Sequence, residues 1–405
     1  MRAKPKPNHK LALAAIFVFC VAVSVGADDS AKANDSWPVF RGNSLCTGVA
    51  AASLPEKLDE LWNFKVPDGA FDATPVISDS VVYIGDLDGA MFAIDLKTGA
   101  KKWKTTIKDS GFPASPAIKD GRLYIGDYDG VFYCFDAANG KEIWKFSAEA
   151  EISSPNFHKD TVVFASQDSR LYSLNAASGK LNWKFAIEDQ IQCSPTIVEG
   201  RAFLAGCDAK LHIIDLEKGE AIASVDIHNP TGVTPAVLGD RVFFGTEGGE
   251  FLCVNWRTAK REWTYADENA NQSIRSSPAV TDAAVVFGSR SKQIYALNPK
   301  NGKLIWKVPS RRGIDSSPVI AGDRVYVGVG DGNVMAINLK DHKIVWQYQA
   351  NGGFGGSPAV ANSRLVIASD EGIVYCFGSD KRLTSSKTDS SAATITEKTA
   401  TQTKR

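Results

Sequence analysis

The sequence predicts an all-β chain: an eight-bladed β-propeller of four-stranded antiparallel blades, closed by an N-terminal strand that pairs in the last blade. Three observations predict it. A Ser/Thr-Pro pair recurs eight times between Thr74 and Ser357, at intervals of 41, 39, 40, 40, 43, 40 and 40 residues. Between the pairs, short apolar runs are separated by turn dipeptides such as Asp-Gly and Asn-Gly, a strong hairpin signal because a primed turn needs positive φ at both central residues. A tryptophan opens the last run in seven of the eight repeats. One small sheet per 40 residues cannot bury its own faces, so the copies must stack, and eight stack into a ring.

From the N-terminus, residues 1–27 read as a secretory signal peptide. Arg2, Lys4, Lys6 and Lys10 precede an apolar run from Leu11 to Val25, and Val25-Gly26-Ala27 offers small residues for cleavage. Export to the periplasm or beyond is therefore expected. Cys20 follows Phe17-Val18-Phe19, whereas a lipidated cysteine normally follows a small residue, so a lipid anchor is not expected. Residues 28–60 form an N-terminal segment, containing Trp37-Pro38-Val39-Phe40-Arg41-Gly42, expected to pack over an open propeller face or the closing blade.

Residues 61–378 carry the propeller, and the second repeat shows its order. Ser115-Pro116 begins the first strand, Asp120-Gly121 turns it, Arg122 to Gly126 returns, and Asp129-Gly130 turns again. Val131 to Phe135 is the third strand, and Asn139-Gly140 leads to the fourth at Ile143-Trp144. Proline lacks an amide hydrogen, which suits a strand start with a free edge along the central channel. One column just before the third turn holds Asp95, Asp136, Asn175, Asp215, Asn255, Asn298 and Asn338, whose side chains accept from backbone amides two residues on.

The fourth strand opens with Trp62, Trp103, Trp144, Trp183, Trp263, Trp306 and Trp346, expected to dock between blades. Each indole buries roughly 150–250 Å², a gross gain of about 4–6 kcal/mol. The exception is Ala223, which predicts a weak seam. The first Trp strand, Leu61 to Val66, precedes the first Ser/Thr-Pro, and the last repeat ends at Phe377 one strand short. The N-terminal strand therefore completes the last blade. Residues 379–405 turn to Ser, Thr, Lys and Ala, a composition that cannot offset its own ordering entropy, and a disordered tail is expected.

Composition excludes several classes. The chain holds 46 basic and 46 acidic residues; without the four basic residues of the signal it is slightly acidic, so nothing calls for nucleic acid. No later stretch has the length and apolarity of a membrane span, and a monomer with a protein partner, the cell envelope being one location for it, is expected. The cysteines read as packing choices. Cys134, Cys253 and Cys376 share a column with Ala93, Ser173, Ile213, Ala296 and Ala336. Cys193 and Cys207 are one residue out of register, on opposite faces, so no disulfide is expected.

Ala93-Ile94-Asp95-Leu96-Lys97-Thr98-Gly99-Ala100-Lys101-Lys102-Trp103 resembles the tryptophan-docking repeat of the pyrroloquinoline-quinone-like propellers, with similar stretches at Asn298 to Trp306 and Ser173 to Trp183. The resemblance spans the whole predicted ring. It implies either of two roles. One is the noncatalytic propeller that helps the outer-membrane protein assembly machinery. The alternative is a quinoprotein dehydrogenase, in which pyrroloquinoline quinone stacks between a tryptophan and a disulfide of adjacent cysteines beside a calcium held by Glu, Asn and Asp. No two cysteines are adjacent in this chain, and the long inserted loops of those enzymes are missing. The reading that follows is a scaffold for protein–protein interaction, with no cofactor, metal or catalytic residue assigned.

Candidate contact residues lie where the repeats disagree. Strand direction puts the loops before each Ser/Thr-Pro and the central hairpin turns on one face. The central turns carry Asp88, Asp129, Asp168, Asp208, Asp331 and Glu371. Six carboxylates on one rim resemble a cation site, but Asp before Gly is also what a primed turn prefers, so turn chemistry is expected, with a weak acidic field for a basic partner beside it. Two residues before each Ser/Thr stand Asp72, Pro113, Ile152, Gln192, Gly232, Arg275, Asp315 and Gly355. From this variable column Asp72, Gln192, Arg275 and Asp315, with Arg290 from a central turn, are expected near the channel mouth as the interface. Tyr265 to Arg275 is the longest loop there. His212 shares a column with Phe92, Tyr133 and Tyr172 and is expected to be a strand side chain.

Overall fold

The computed structural model describes Met1, residues 35–270 and residues 272–379. All of the expected signal but Met1, and all but the first residue of the expected tail, lie outside the described residues. Eight four-stranded antiparallel sheets form the propeller. Blade 1 runs from its inner strand, Val76–Ser78, through Val81–Gly85 and Ala90–Asp95 to its outer strand, Lys101–Thr106. Blades 2 to 7 repeat this order. Blade 8 takes three strands from Ala359–Ala361 to Ile373–Gly378 and its fourth from Asp59–Lys65 at the other end of the chain. Sequence and structure agree on this closure.

Cross-strand pairing explains the small column. Ala93, Cys134, Ser173, Cys253, Ala296, Ala336 and Cys376 lie directly opposite Trp103, Trp144, Trp183, Trp263, Trp306, Trp346 and Trp62. A small side chain there leaves room for the indole. The six described cysteines are free thiols. Burial pushes Cys134, Cys193, Cys253 and Cys376 up to about 12, so they stay protonated and serve packing.

Each indole docks on the next blade. Trp62 Nε1 donates to the Leu96 carbonyl at 2.9 Å, Trp103 to Ala137 at 2.9 Å, and Trp346 to Leu58 at 2.9 Å. Trp144, Trp183 and Trp263 donate likewise to Ala176, Leu216 and Pro299. Trp306 instead stacks on His342, ring centroids 5.6 Å apart. The turn that receives the ring carries glycine for two reasons. At Gly179 φ is +70°, and a Cβ would sit 2.6 Å from the Trp144 indole.

The seam at Ala223 is not empty. Ala223 pairs with Ile213, the one bulky aliphatic in the small column, and Trp256 from blade 5 packs in the same cluster with Phe203. The buried Trp256 ring lies under Arg257 at 4.1 Å and Arg201 at 5.2 Å, and its Nε1 donates to the Gly239 carbonyl at 3.0 Å. Blade 5 thus supplies the indole that blade 4 lacks. The weakness inferred from Ala223 alone loses its premise.

Residues 35–50 lie across one end of the channel, where they cover the free edges of the inner strands. The amides of Ile77, Ile118, Ile197, Val237, Val280 and Ile320 donate to the carbonyls of Trp37, Pro38, Ser44, Leu45, Thr47 and Gly48, at 2.7 to 2.9 Å. In blade 3 the Asn156 side chain accepts from Phe157 N and donates to the Ser44 carbonyl instead. In blade 8 Asn362 N donates to Asp35 Oδ1. An inner edge left uncovered would expose unpaired amides, and one segment covers six of the eight inner strands by direct backbone bonds. Arg41, 1 % exposed, donates to the carbonyls of Ser317, Pro278 and Pro318. Burial lowers its pKa to about 9, still high enough to keep the guanidinium charged at neutral pH. The expectation that this segment packs over an open face is met, at the end opposite the variable loops.

Candidate functional site

The central turns do mostly what their chemistry requires. Asp168, Asp208 and Asp331 accept from the amides of Arg170, Lys210 and Asn333. In blades 1 and 2 that work falls to Asp86 and Asp127, which accept from Ala90 and Val131, so Asp88 and Asp129 are left to solvent. The column before the third turn behaves uniformly, as at Asp95, which accepts from Lys97 N, Thr98 N and Thr98 Oγ1. His212 Nε2 bonds Asp208 Oδ2 at 2.8 Å, where Tyr172 donates to Asp168 in the neighbouring blade. It is a strand side chain holding a turn.

The channel is a blind funnel. Its cavity of about 230 Å³ opens on the face of the variable loops and ends on Phe40 of the N-terminal segment. Its wall is a ring of hydroxyls: Thr74, Ser115, Ser154, Ser194, Thr234, Ser277, Ser317 and Ser357, each 3 to 7 % exposed. Seven of them accept the backbone amide of the corresponding residue in the preceding blade, at 2.9 to 3.1 Å. The hydroxyl half of the Ser/Thr-Pro motif is therefore an inter-blade clasp. Sequence reasoning saw only the proline half.

At the mouth stand Asp72, Gln192, Arg275 and Asp315, all lining the cavity, with Arg290 at the rim. Arg290 Nε and Nη2 donate to the two oxygens of Asp315 at 2.9 and 2.8 Å, which raises the Arg290 pKa, and Arg275 donates to Glu247 at 2.9 Å. Glycine makes room beside the larger polar groups. A Cβ on Gly355 would lie 2.3 Å from Asp72 Oδ1, and one on Gly232 2.7 Å from Gln192 Oε1.

Two further groups were not legible. Glu151 and Phe40 also line the funnel. Blade 3 follows blade 2 by 39 residues, the shortest of the intervals, so counting back from Ser154 puts Ile152 in the wrong column. In the structure Ile152 is fully buried against Gly126, as Phe112 is against Gly85, and Glu151 faces the cavity. The short interval was the available signal.

Asp72 is exposed at the mouth of the funnel, yet the surrounding wall strips part of its hydration. This desolvation, with Asp315 and Asp370 nearby, raises its pKa. Desolvation and the neighbouring Asp72 raise Glu151, against a hydrogen bond from Gln167. Tyr128, exposed beside both, is raised by desolvation and then by their charges.

The quinone site of the dehydrogenases does not fit these residues. The cavity is lined mainly by hydroxyls and polar groups, with Pro113, Ala114, Ile152 and a single aromatic, Phe40, and no tryptophan or cysteine to stack a ring. Among the described residues no group of three His, Cys, Asp or Glu is placed to hold a metal. Among them, too, no helix is long and apolar enough to cross a membrane.

Comparison with known proteins agrees with this architecture. The family described as outer membrane protein assembly factor BamB matches residues 93–275 and 169–388. The quinoprotein alcohol dehydrogenase PedH of Pseudomonas putida is 27 % identical over 139 residues, 30 % of this chain and 23 % of that protein. A quinoprotein ethanol dehydrogenase of Pseudomonas aeruginosa is 29 % identical over 140 residues, 29 % of this chain and 22 % of that protein. The chain thus spans less than a quarter of the length of the curated relatives it matches. Among solved structures, BamB from Moraxella catarrhalis superposes with a TM-score of 0.69 at 18 % identity, covering 80 % of this chain and 98 % of that one. The quinohemoprotein alcohol dehydrogenase from Comamonas testosteroni superposes at 0.73 and 13 % identity, covering 87 % and 82 %. At these identities the structural likeness speaks for the fold.

Proposed function

The chain belongs to the pyrroloquinoline-quinone-like repeat propellers of the family described as outer membrane protein assembly factor BamB, and from that premise we propose that it is an exported, noncatalytic scaffold. It binds a protein partner of the cell envelope through the loop face around the funnel. The observation that carries this reading is the asymmetry of the ring. One end of the channel is sealed by hydrogen bonds to the N-terminal segment, while the other presents the side chains in which the blades differ. A rigid ring costs little ordering entropy on association, which suits a docking platform. No nucleophile–base pair or metal set owns the cavity among the described residues.

The test is site-specific photo-crosslinking from Gln192 in the native envelope, with and without the double substitution Arg275→Glu and Asp315→Lys. A discrete crosslinked protein that disappears with the double substitution supports the reading. Unchanged crosslinks in the folded variant, or dye reduction by the protein with pyrroloquinoline quinone, calcium and an alcohol, overturn it.

A further inference from the structure

The funnel also carries an unbalanced charge. Around its mouth the guanidiniums are already engaged, Arg275 by Glu247 and Arg290 by both oxygens of Asp315. Asp72 and Glu151 have no cationic partner among the described residues, and each faces the other's field. Asp370, which also faces Asp72, is occupied by the Gly353 amide at 2.7 Å. Two carboxylates held partly desolvated and unpaired cost folding free energy, which a ligand cation would recover.

The hydroxyl ring is a second, independent observation. None of its eight hydroxyls donates a hydrogen bond to protein among the described residues, though all are more than nine-tenths buried and line the cavity. Eight O–H donors are therefore available to ligand oxygens or to waters that a ligand leaves in place. Outside the funnel's lining, Tyr128 is 41 % exposed and lies within the field of the two carboxylates, an aromatic surface that suits a cation.

Size and shape limit the occupant. A cavity of about 230 Å³ is smaller than the usual pocket for a drug-sized ligand, and Phe40 closes its far end, so nothing threads through. A single extended side chain entering tip first fits these limits. Building on the reading that the loop face binds a protein, we infer that the funnel receives a basic side chain of the partner, a Lys ammonium or Arg guanidinium seated between Asp72 and Glu151 at its mouth. Below the seated tip, retained water meets the hydroxyls. Exposed Asp88 and Asp129 on the same face add a field that steers such a partner without contacting it.

The probes are blocked peptides of the form Gly-Gly-X-Gly-Gly with X as Lys, Arg or Gln, titrated calorimetrically at low salt into the full chain. The expected result is at least a tenfold preference for Lys or Arg over Gln. Asp72→Asn with Glu151→Gln should abolish that preference, while Asp88→Asn outside the cavity should leave it within about twofold. Equal binding of all three peptides, or a preference that survives the double substitution in a folded protein, overturns the inference. So does tight binding of spermidine without any peptide preference, which would assign the site to a free polyamine. Loss of the envelope crosslink without a peptide preference leaves the docking face standing and removes only the inserted cation. A peptide preference with unchanged crosslinks does the reverse.

Discussion

The amide of Ser357 donates to the Thr74 hydroxyl at 2.9 Å, across 283 residues of chain. This is the last link of the hydroxyl clasp, and it joins the final blade to the first at the channel wall. The strand Asp59–Lys65 makes the same junction at the outer rim. Ring closure is therefore made twice, at the inner and outer radii of one blade.

Removing the inner link alone should weaken the ring without opening it. Thr74→Val keeps the shape but leaves a buried amide without an acceptor, a loss of about 1–3 kcal/mol. Thr74→Ser should restore most of it. Urea unfolding of the three proteins checks both statements, and equal midpoints for wild type and Thr74→Val would count against the clasp.

Trp256 should matter as much as any of the seven docking tryptophans. Trp256→Ala opens a cavity between blades 4 and 5 where Ala223 offers no indole of its own, at a cost of about 3–5 kcal/mol. Hydrogen exchange should show the loss in strands Lys210–Asp215 and Glu220–Asp226 and leave Ala90–Asp95 protected. If the same change proves neutral, the seam is held by something else.

Arg41 should act as the anchor of the channel seal. Arg41→Met removes every donor from the carbonyls of Ser317, Pro278 and Pro318, and orphaned buried carbonyls bring the total cost to about 3 kcal/mol or more. Protection should fall first at the amides that the segment covers, such as Val280 and Ile320. Exchange spread evenly over the ring would refute the anchoring role.

Cation binding at the mouth should strengthen as the pH rises. Asp72 and Glu151 both titrate above the ordinary carboxylate range, so protons compete with a cation in a window where exposed carboxylates are already ionised. Asp315, Asp370, Tyr128 and Gln167 are the groups that face them. Affinity for the Lys peptide should be lower at about pH 5 than at about pH 7.5, with protons released on binding. The empty protein shows the opposite slope from these two groups. Native carboxylates with raised pKa values bind more protons than unfolded ones, so their contribution to stability falls as the pH rises through that window. Calorimetry in two buffers of different ionisation enthalpy measures the proton release, and its absence would exclude these carboxylates as the seat of the cation.

Much of the ring was legible because it is periodic. The turn aspartates and asparagines, the small residues opposite the indoles and the strand that completes blade 8 each follow from local chemistry repeated in register. Ile213 opposite Ala223 was also readable, since a bulky residue in a small column announces a missing tryptophan. Glu151 was hidden because a one-residue shortening slips the column count, and Trp256 because it fills a gap opened by a different repeat.

By itself the sequence determined the number of blades, their strand order and the closure, since turn geometry and two-residue alternation act over neighbouring residues whatever the rest of the chain does. Only the tertiary structure decided that residues 35–50 seal one end of the channel, that the hydroxyls of eight distant serines and threonines share one wall, and that Asp72 and Glu151 stand unpaired in one cavity. Those relations depend on distances set by closing the ring. A repeat pattern records what every blade needs from its neighbours, whereas the charge left over at the centre exists only once all eight blades are in place.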